Sequence, residues 1–406
     1  MDAQSRTILS DSMKAKLTEL GANGSFCILP FIHQEKKFNG TYHVCCYGDQ
    51  LQSDNPADDS LASFNSDKIN SIRSDMLSGT KPAACNSCYQ QEHNDIYSPR
   101  LRENYTWANW ESTHTAVEKC FDDFTHENTI KPISYDLRYS NTCTLKCRMC
   151  NSSSSSALNA EYKKIQHQWP EKFWTIDNPR INHEVELHSD VQKIYLAGGE
   201  PLVEPLNLEL LDKVAHHNPN LVILINTSLN HLSEKFVTVL NKFKYLTLVV
   251  SIDGTHQIND YVRNGSKFDT VIKNIRSMAH HDLMFSTCVS IYNVFNVKEL
   301  VTFINKEFPN SSHGIHLVND IPEVFIDHVP MTLRPGLIQQ LETCLLEISD
   351  FPAQGIHNII TTLKQNNFDS NRFADFIKYT KILDESRGES IINMVPELAK
   401  YFNEQS

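Results

Sequence analysis

Cys143, Cys147 and Cys150 stand within one eight-residue stretch, "CTLKCRMC". Three thiolates on one short loop point to metal ligation, and their number narrows the metal. A structural zinc wants four ligands and a closed shell. A [4Fe–4S] cluster held by three thiolates keeps one iron open to a ligand that is not protein. That iron can bind a small molecule and pass it an electron. The triplet alone leaves a second reading open, a zinc knot completed by a distant His or Cys.

A second set of cysteines lies earlier. The segment "SFCILPFIHQEKKFNGTYHVCCYGD" reads as a hairpin, with Cys27 before its first strand, a tight "NG" turn at 39–40, and Cys45 and Cys46 after the returning strand. "AACNSC" adds Cys85 and Cys88 as a C-x2-C pair. Four thiolates in two groups suit an iron–sulfur cluster or a closed structural zinc. Cys120, Cys288 and Cys344 stand alone and read as small core hydrophobes.

The elements that position these residues show in the hydrophobic pattern. From residue 131 onward, β-type runs at 133–140, 191–198, 221–228, 245–253, 284–292 and 314–320 alternate with amphipathic segments at 205–217, 231–243 and 268–281. That alternation predicts an α/β fold of βαβ units around a parallel sheet, and six units suit a partial (β/α)6 TIM-like barrel. Chemistry in such folds gathers at the C-terminal ends of strands. The cysteine triplet follows the first run, "GGEP" (198–201) the second, "NTS" (226–228) the third and "SIDG" (251–254) the fourth. The chain divides into a leader (1–25), a small cysteine-rich N-terminal module (26–130), a core domain (131–330) and a C-terminal helical extension (331–406) with helices in "MTLRPGLIQQLETCLLEI" and "ESIINMVPELAKYF". "NSSSSS" (151–156) reads as an exposed low-complexity loop. No internal repeat is found.

Composition excludes several classes. At 406 residues, 40% hydrophobic and 21% charged, the chain is an ordinary globular one. It has no apolar run of membrane-spanning length and no export signal at its start. Eleven cysteines then indicate metal ligands or core residues in a reducing cytoplasm, with few disulfides. A formal charge of −12 argues against nucleic acid as the main partner. No P-loop and no zinc-protease histidine spacing is present.

"CTLKCRMC" followed by "GGEP" about fifty residues later resembles the radical S-adenosylmethionine (SAM) superfamily, over roughly 131–320. The resemblance implies a radical SAM enzyme, with Cys143, Cys147 and Cys150 holding a [4Fe–4S] cluster and SAM chelating its open iron. Gly198, Gly199 and Glu200 resemble the segment that binds the SAM amino group. Glycines let backbone carbonyls approach an ammonium, and a carboxylate can pair with it. Ser251 and Arg263 match positions that contact the SAM ribose or carboxylate, and an arginine fork suits a carboxylate. The plainer readings are a turn hydroxyl for Ser251 and a surface ion pair for Arg263. Asp253 is as readily turn chemistry. Asn293 and Asn296 resemble a position near the adenine.

The N-terminal cysteines resemble the Twitch/SPASM auxiliary-cluster module. That module usually follows the radical SAM domain, and here the pattern precedes it. The resemblance implies a second [4Fe–4S] cluster on Cys27, Cys45 or Cys46, Cys85 and Cys88, with Cys45 favoured as the first after the strand. It also implies reductive cleavage of SAM to a 5′-deoxyadenosyl radical, a reductant such as flavodoxin or ferredoxin, and a peptide or protein substrate. Tyr135, Arg138, Asn226 and His316 are candidate contacts in the barrel. Two other classes stay open: a non-catalytic iron–sulfur electron carrier or sensor, and a zinc-stapled binding protein.

Overall fold

The computed structural model describes residues 24–47, 60–108, 130–177, 187–348 and 350–403. Cys120 and nearly all of the expected leader lie outside the described residues. Eight strands form an α/β sheet in the order β2-β1-β3-β4-β5-β6-β7-β8, the arrangement of a partial TIM-like barrel. All six runs expected after residue 131 are strands in that sheet, in chain order. The chain separates into two compact units: Met1–Ser140 with Arg180–Gly198 and Asn218–Leu224, and Asn141–Pro179 with Gly199–His217 and Ile225–Ser406.

In the first unit the hairpin is present. β1 (His33–Lys36) and β2 (Tyr42–His43) pair antiparallel, and Gly40 turns the chain with a φ of 83°. The sequence had not shown where the hairpin docks. β1 pairs parallel with β3 (Ser134–Leu137), and β3 pairs parallel with β4 (Lys193–Leu196). The register sets Glu35, Asp136 and Tyr195 side by side on one face. Alternation sends Tyr135, Leu137, Ile194 and Leu196 to the other. Behind the hairpin, Phe26, Phe31, Phe64, Met76 and Trp107 form an apolar core.

In the second unit, β6 (Tyr245–Ser251), β7 (Asp282–Val289) and β8 (Ser312–Leu317) pair parallel in sequence. Between strands run α1 (Pro205–His217), α2 (Glu234–Leu240), α3 (His256–Val262), α4 (Phe268–Ser277) and α5 (Val297–Glu307). Three long helices follow: α6 (Arg334–Leu345), α7 (Asp350–Lys364) and α8 (Ser370–Arg387). Sequence reading named the first of these and missed the other two, although α8 has clear ends. Asp369 caps its first turn by accepting from Asn371 and Arg372, and Gly388 closes it with a φ of 65°. No described helix is long and apolar enough to cross a membrane.

A buried histidine on β8 gives this unit an acid limit. His313 Nε2 lies 2.8 Å from Thr287 Oγ1, which itself donates to Ile252 O, so the ring must donate through Nε2. Its Nδ1 is buried with no hydrogen-bond partner among the described residues, and burial pulls the pKa down to about 3. The unfolded chain takes up this proton near pH 6.5, before the folded one does. Stability is therefore full above that pH and falls as pH drops toward 3. At ~1.4 kcal/mol per pH unit, going from pH 7 to 5 costs about 2 kcal/mol from this group. Urea unfolding at both pH values should show a smaller loss in His313→Gln than in the unsubstituted chain.

Candidate functional site

The triplet lies on a loop that its neighbours pin from two sides. On one side the serine run clamps it. Ser156 Oγ accepts from Cys143 N at 3.1 Å and donates to Cys143 O at 3.2 Å, and Ser155 Oγ donates to Leu145 O at 2.7 Å. Ser155 also caps the helix Ser156–Ile165 by accepting from Leu158 N. The expectation that 151–156 is an exposed loop is therefore corrected. Ser152 and Ser155 are buried, Ser155 because its hydroxyl supplies Leu145 O with a partner and Ser152 because its hydroxyl donates to Trp174 O.

On the other side, Lys146 N and Arg148 N donate to Asn264 O and Val262 O, both at 2.8 Å. The Arg148 side chain is fully buried under the loop. It stacks on Tyr261 at 3.7 Å and donates 2.6 Å bonds to both Asp384 and Glu389. Burial pushes the Cys143 thiol up to about 12 and raises Cys147 and Cys150 as well. Such thiols are poor ligands until a metal's own charge displaces their protons.

The "GGEP" segment is shaped by close approach. Gly198 has a φ of 117°, which a side chain would strain. Gly199 lies against the residues preceding Cys143: a Cβ there would stand 2.2 Å from Thr142 O, the atom that accepts from Glu200 N at 2.7 Å. The buried Glu200 carboxylate accepts four bonds, from Leu202 N, Thr227 Oγ1, Ser228 N and Ser228 Oγ. Its oxygens are thus committed to holding the "NTS" turn.

Ser251 Oγ donates to Asn226 Oδ1 at 2.9 Å, tying the ends of β6 and β5 (Val222–Thr227). Arg263 pairs with Asp253 at 2.6 Å, and since Asp253 is buried this is not a surface ion pair. Asp253 also accepts from Cys288 N. Asn293 is buried and bonds to Ser290, Asp253 and Cys288 backbone, while Asn296 bonds to Thr255 and Glu299. His316 sits half-buried on β8.

Two expectations are overturned. Tyr135 is buried on the face away from Asp136, with its hydroxyl 3.4 Å from Ser60 Oγ, so it does not share a face with Arg138. Cys288 is exposed and no core residue, because on β7 its neighbours Thr287 and Val289 take the buried face. Cys344 is buried as expected.

In the first unit, one pocket is lined by Cys27, Cys45, Cys85 and Cys88 together with Tyr47 and Arg100. Cys27 is set by its flanks: Arg100 Nη1 and Asn104 Nδ2 donate to Phe26 O, and Ile28 N donates to Asn104 Oδ1. Cys85 ends a short 3-10 turn, and Cys88 sits in the first turn of the helix Asn86–His93. Cys46 is exposed and does not line this pocket. On the polar face of β1 and β3, Arg138 bridges Glu35 at 3.0 Å and Asp136 at 2.8 Å.

Residues 137–305 match the family described as the Radical SAM superfamily, from the end of β3 to α5. No curated protein matches the chain. Matching solved structures include Streptococcus suis SuiB bound to S-adenosylmethionine, at 17% identity and a TM-score of 0.37, covering 58% of this chain and 50% of that one. SuiB bound to the precursor peptide SuiA matches at 16% identity and a TM-score of 0.38, over 58% and 52%. Native anSMEcpe with bound AdoMet and Kp18Cys peptide matches at 16% identity and a TM-score of 0.37, over 53% and 60%. This chain thus spans about half the length of the two ligand-bound SuiB chains.

Proposed function

We propose that this chain, whose residues 137–305 match the Radical SAM superfamily, is a radical SAM enzyme that holds a [4Fe–4S] cluster on Cys143, Cys147 and Cys150 and modifies a peptide or protein substrate. The observation that carries the cluster reading is the built loop. Three thiols on it are fixed by Ser155 and Ser156 on one side and by the 262–264 backbone on the other, and Gly199 packs on its first residues. Bound there on Cys143, Cys147 and Cys150, the cluster would supply the electron for reductive cleavage of SAM and so the means to take a hydrogen atom from the substrate.

The chain's own residues do the rest. Gly198 lets its backbone pack against Arg138 and Ser140 and Gly199 against Asn141 and Thr142, which would set the segment that meets the SAM ammonium, and Glu200 holds Thr227 and Ser228 in place. Ser251 and Arg263 would meet the ribose and the carboxylate. The polar face with Glu35, Asp136 and Arg138 suits the polar backbone of a peptide better than an apolar substrate. An electron donor such as flavodoxin or ferredoxin completes the reading.

The reading extends to a second [4Fe–4S] cluster on Cys27, Cys45, Cys85 and Cys88, in a Twitch/SPASM-like module over 26–130 that precedes the core domain at 131–330. Cys27, Cys45, Cys85 and Cys88 line one pocket of the first unit, which supports them as one ligand set, and iron and zinc analysis separates a cluster from a structural zinc. Cys45→Ala should therefore cost about four irons per chain, and Cys46→Ala should cost none. Iron counts on reconstituted variants check this, and the reverse pattern would assign Cys46 as the ligand.

The whole reading is tested by anaerobic reconstitution with iron and sulfide, iron and zinc analysis, and incubation with SAM and dithionite. About eight irons and released 5′-deoxyadenosine support both clusters. About four irons with release removes the second cluster. Iron without SAM cleavage supports an electron carrier, and bound zinc without iron supports a stapled binding protein.

A further inference from the structure

We infer that Arg387, in the last turn of α8, is a positioning residue for the cluster on Cys143, Cys147 and Cys150, and that its buried charge eases that cluster's reduction. The inference rests on the cluster reading of the triplet. The Arg387 side chain is fully buried, with Nε 3.1 Å from Glu161 Oε1 and Nη2 2.6 Å from Glu161 Oε2. Glu161 is already paired with Lys146 Nζ at 2.8 Å. Two cations thus share this one carboxylate, so it does not fully offset the charge of Arg387, whose side chain solvent does not reach.

One donor is left over. Arg387 Nη1 is buried and has no hydrogen-bond partner among the described residues. A buried guanidinium N–H left unmade is costly, so an anion beside it would explain its retention. The surroundings say where that anion belongs. Lys146 immediately precedes Cys147, and Glu161 lies on the helix that Ser155 caps beneath the cysteine loop. Tyr162 and Tyr379 join hydroxyls at 3.1 Å, and Tyr379 donates to Arg148 O inside that loop.

Three thiolates on a cluster core of charge +2 give a net −1, and one electron from a low-potential reductant makes it −2. A nearby fixed cation in a medium of low dielectric stabilises the more negative state. No proton or bond change at Arg387 is required.

The test is an anaerobic dithionite titration of reconstituted chain, following by electron paramagnetic resonance the reduced signal that SAM perturbs. Arg387→Met should make reduction at least tenfold less favourable, a midpoint about 59 mV more negative. Arg387→Lys should stay close to the unsubstituted value. Glu161→Gln, which removes the counter-charge, should move the midpoint the other way. Unchanged midpoints in both Arg387→Met and Glu161→Gln, at full iron content, would overturn the inference and leave Arg387 a structural tie to Glu161. If Arg387→Met fails to take up iron, the upward shift in Glu161→Gln decides alone. If the unsubstituted chain takes up no iron, the cluster reading fails, and this inference with it.

Discussion

Replacing Cys143, Cys147 and Cys150 together by Ala is expected to abolish 5′-deoxyadenosine release from SAM and dithionite, and to remove about four irons per chain. The chemistry has no substitute within this loop. Its lysine and arginine are committed, Lys146 to Glu161 and Arg148 to Asp384 and Glu389, and the flanking Ser155 and Ser156 bond to backbone. The fold should tolerate the change, since the loop is held by backbone bonds from Lys146 and Arg148 and by serine hydroxyls, none of which needs a thiol. Far-ultraviolet circular dichroism and urea unfolding should therefore match the metal-free unsubstituted chain. The pocket lined by Cys27, Cys45, Cys85 and Cys88 is untouched, so the second cluster proposed there should keep its iron. Release of 5′-deoxyadenosine by the triple variant at an undiminished rate would refute the assignment of the radical chemistry to this triplet.

Much of this architecture was legible because it is written in local pattern. A run such as "LVILINTS" has the β-branched content and length of a buried strand, and β5 occupies it. The segment 205–217 is a helix over its full expected extent. What escaped reading depends on pairing between distant residues. The hairpin signal at "NG" fixes β1 against β2, but nothing local states that β1 also pairs with β3. The Arg387–Glu161 pair joins residues 226 apart, and the Arg148–Asp384 pair joins residues 236 apart. A lone arginine in "CRMC" gives no hint of its partners until α8 is placed. Other misses had a signal. Asp136 and Arg138 alternate with Tyr135, so period two already separated their faces. Ser155 stands directly before a helical segment, a cap position that the low-complexity look of "NSSSSS" concealed.

Gly199→Ala is expected to weaken SAM binding by at least tenfold and to lower the stability of the metal-free chain by about 2–3 kcal/mol. The added methyl would meet Thr142 O at 2.2 Å and the carbonyl carbons of Asn141 and Thr142 at 2.6 Å. These are backbone atoms, so no rotamer change relieves the overlap, and one of the two segments must move. Movement breaks the 2.7 Å bond from Glu200 N to Thr142 O, which is also the last tie before Cys143. It further strains Glu200, whose four bonds fix the turn at Thr227 and Ser228. One small methyl thus disturbs both the cysteine loop and the "GGEP" segment proposed to face SAM. Gly336→Ala is the control: it lies in α6 with nothing within 4 Å of a built Cβ, and should be neutral or stabilising by about 0.5–1 kcal/mol. Calorimetric SAM titration of reconstituted protein and urea unfolding of both variants separate the two cases. Unchanged SAM affinity in a Gly199→Ala protein that keeps its iron would show that this segment does not face SAM.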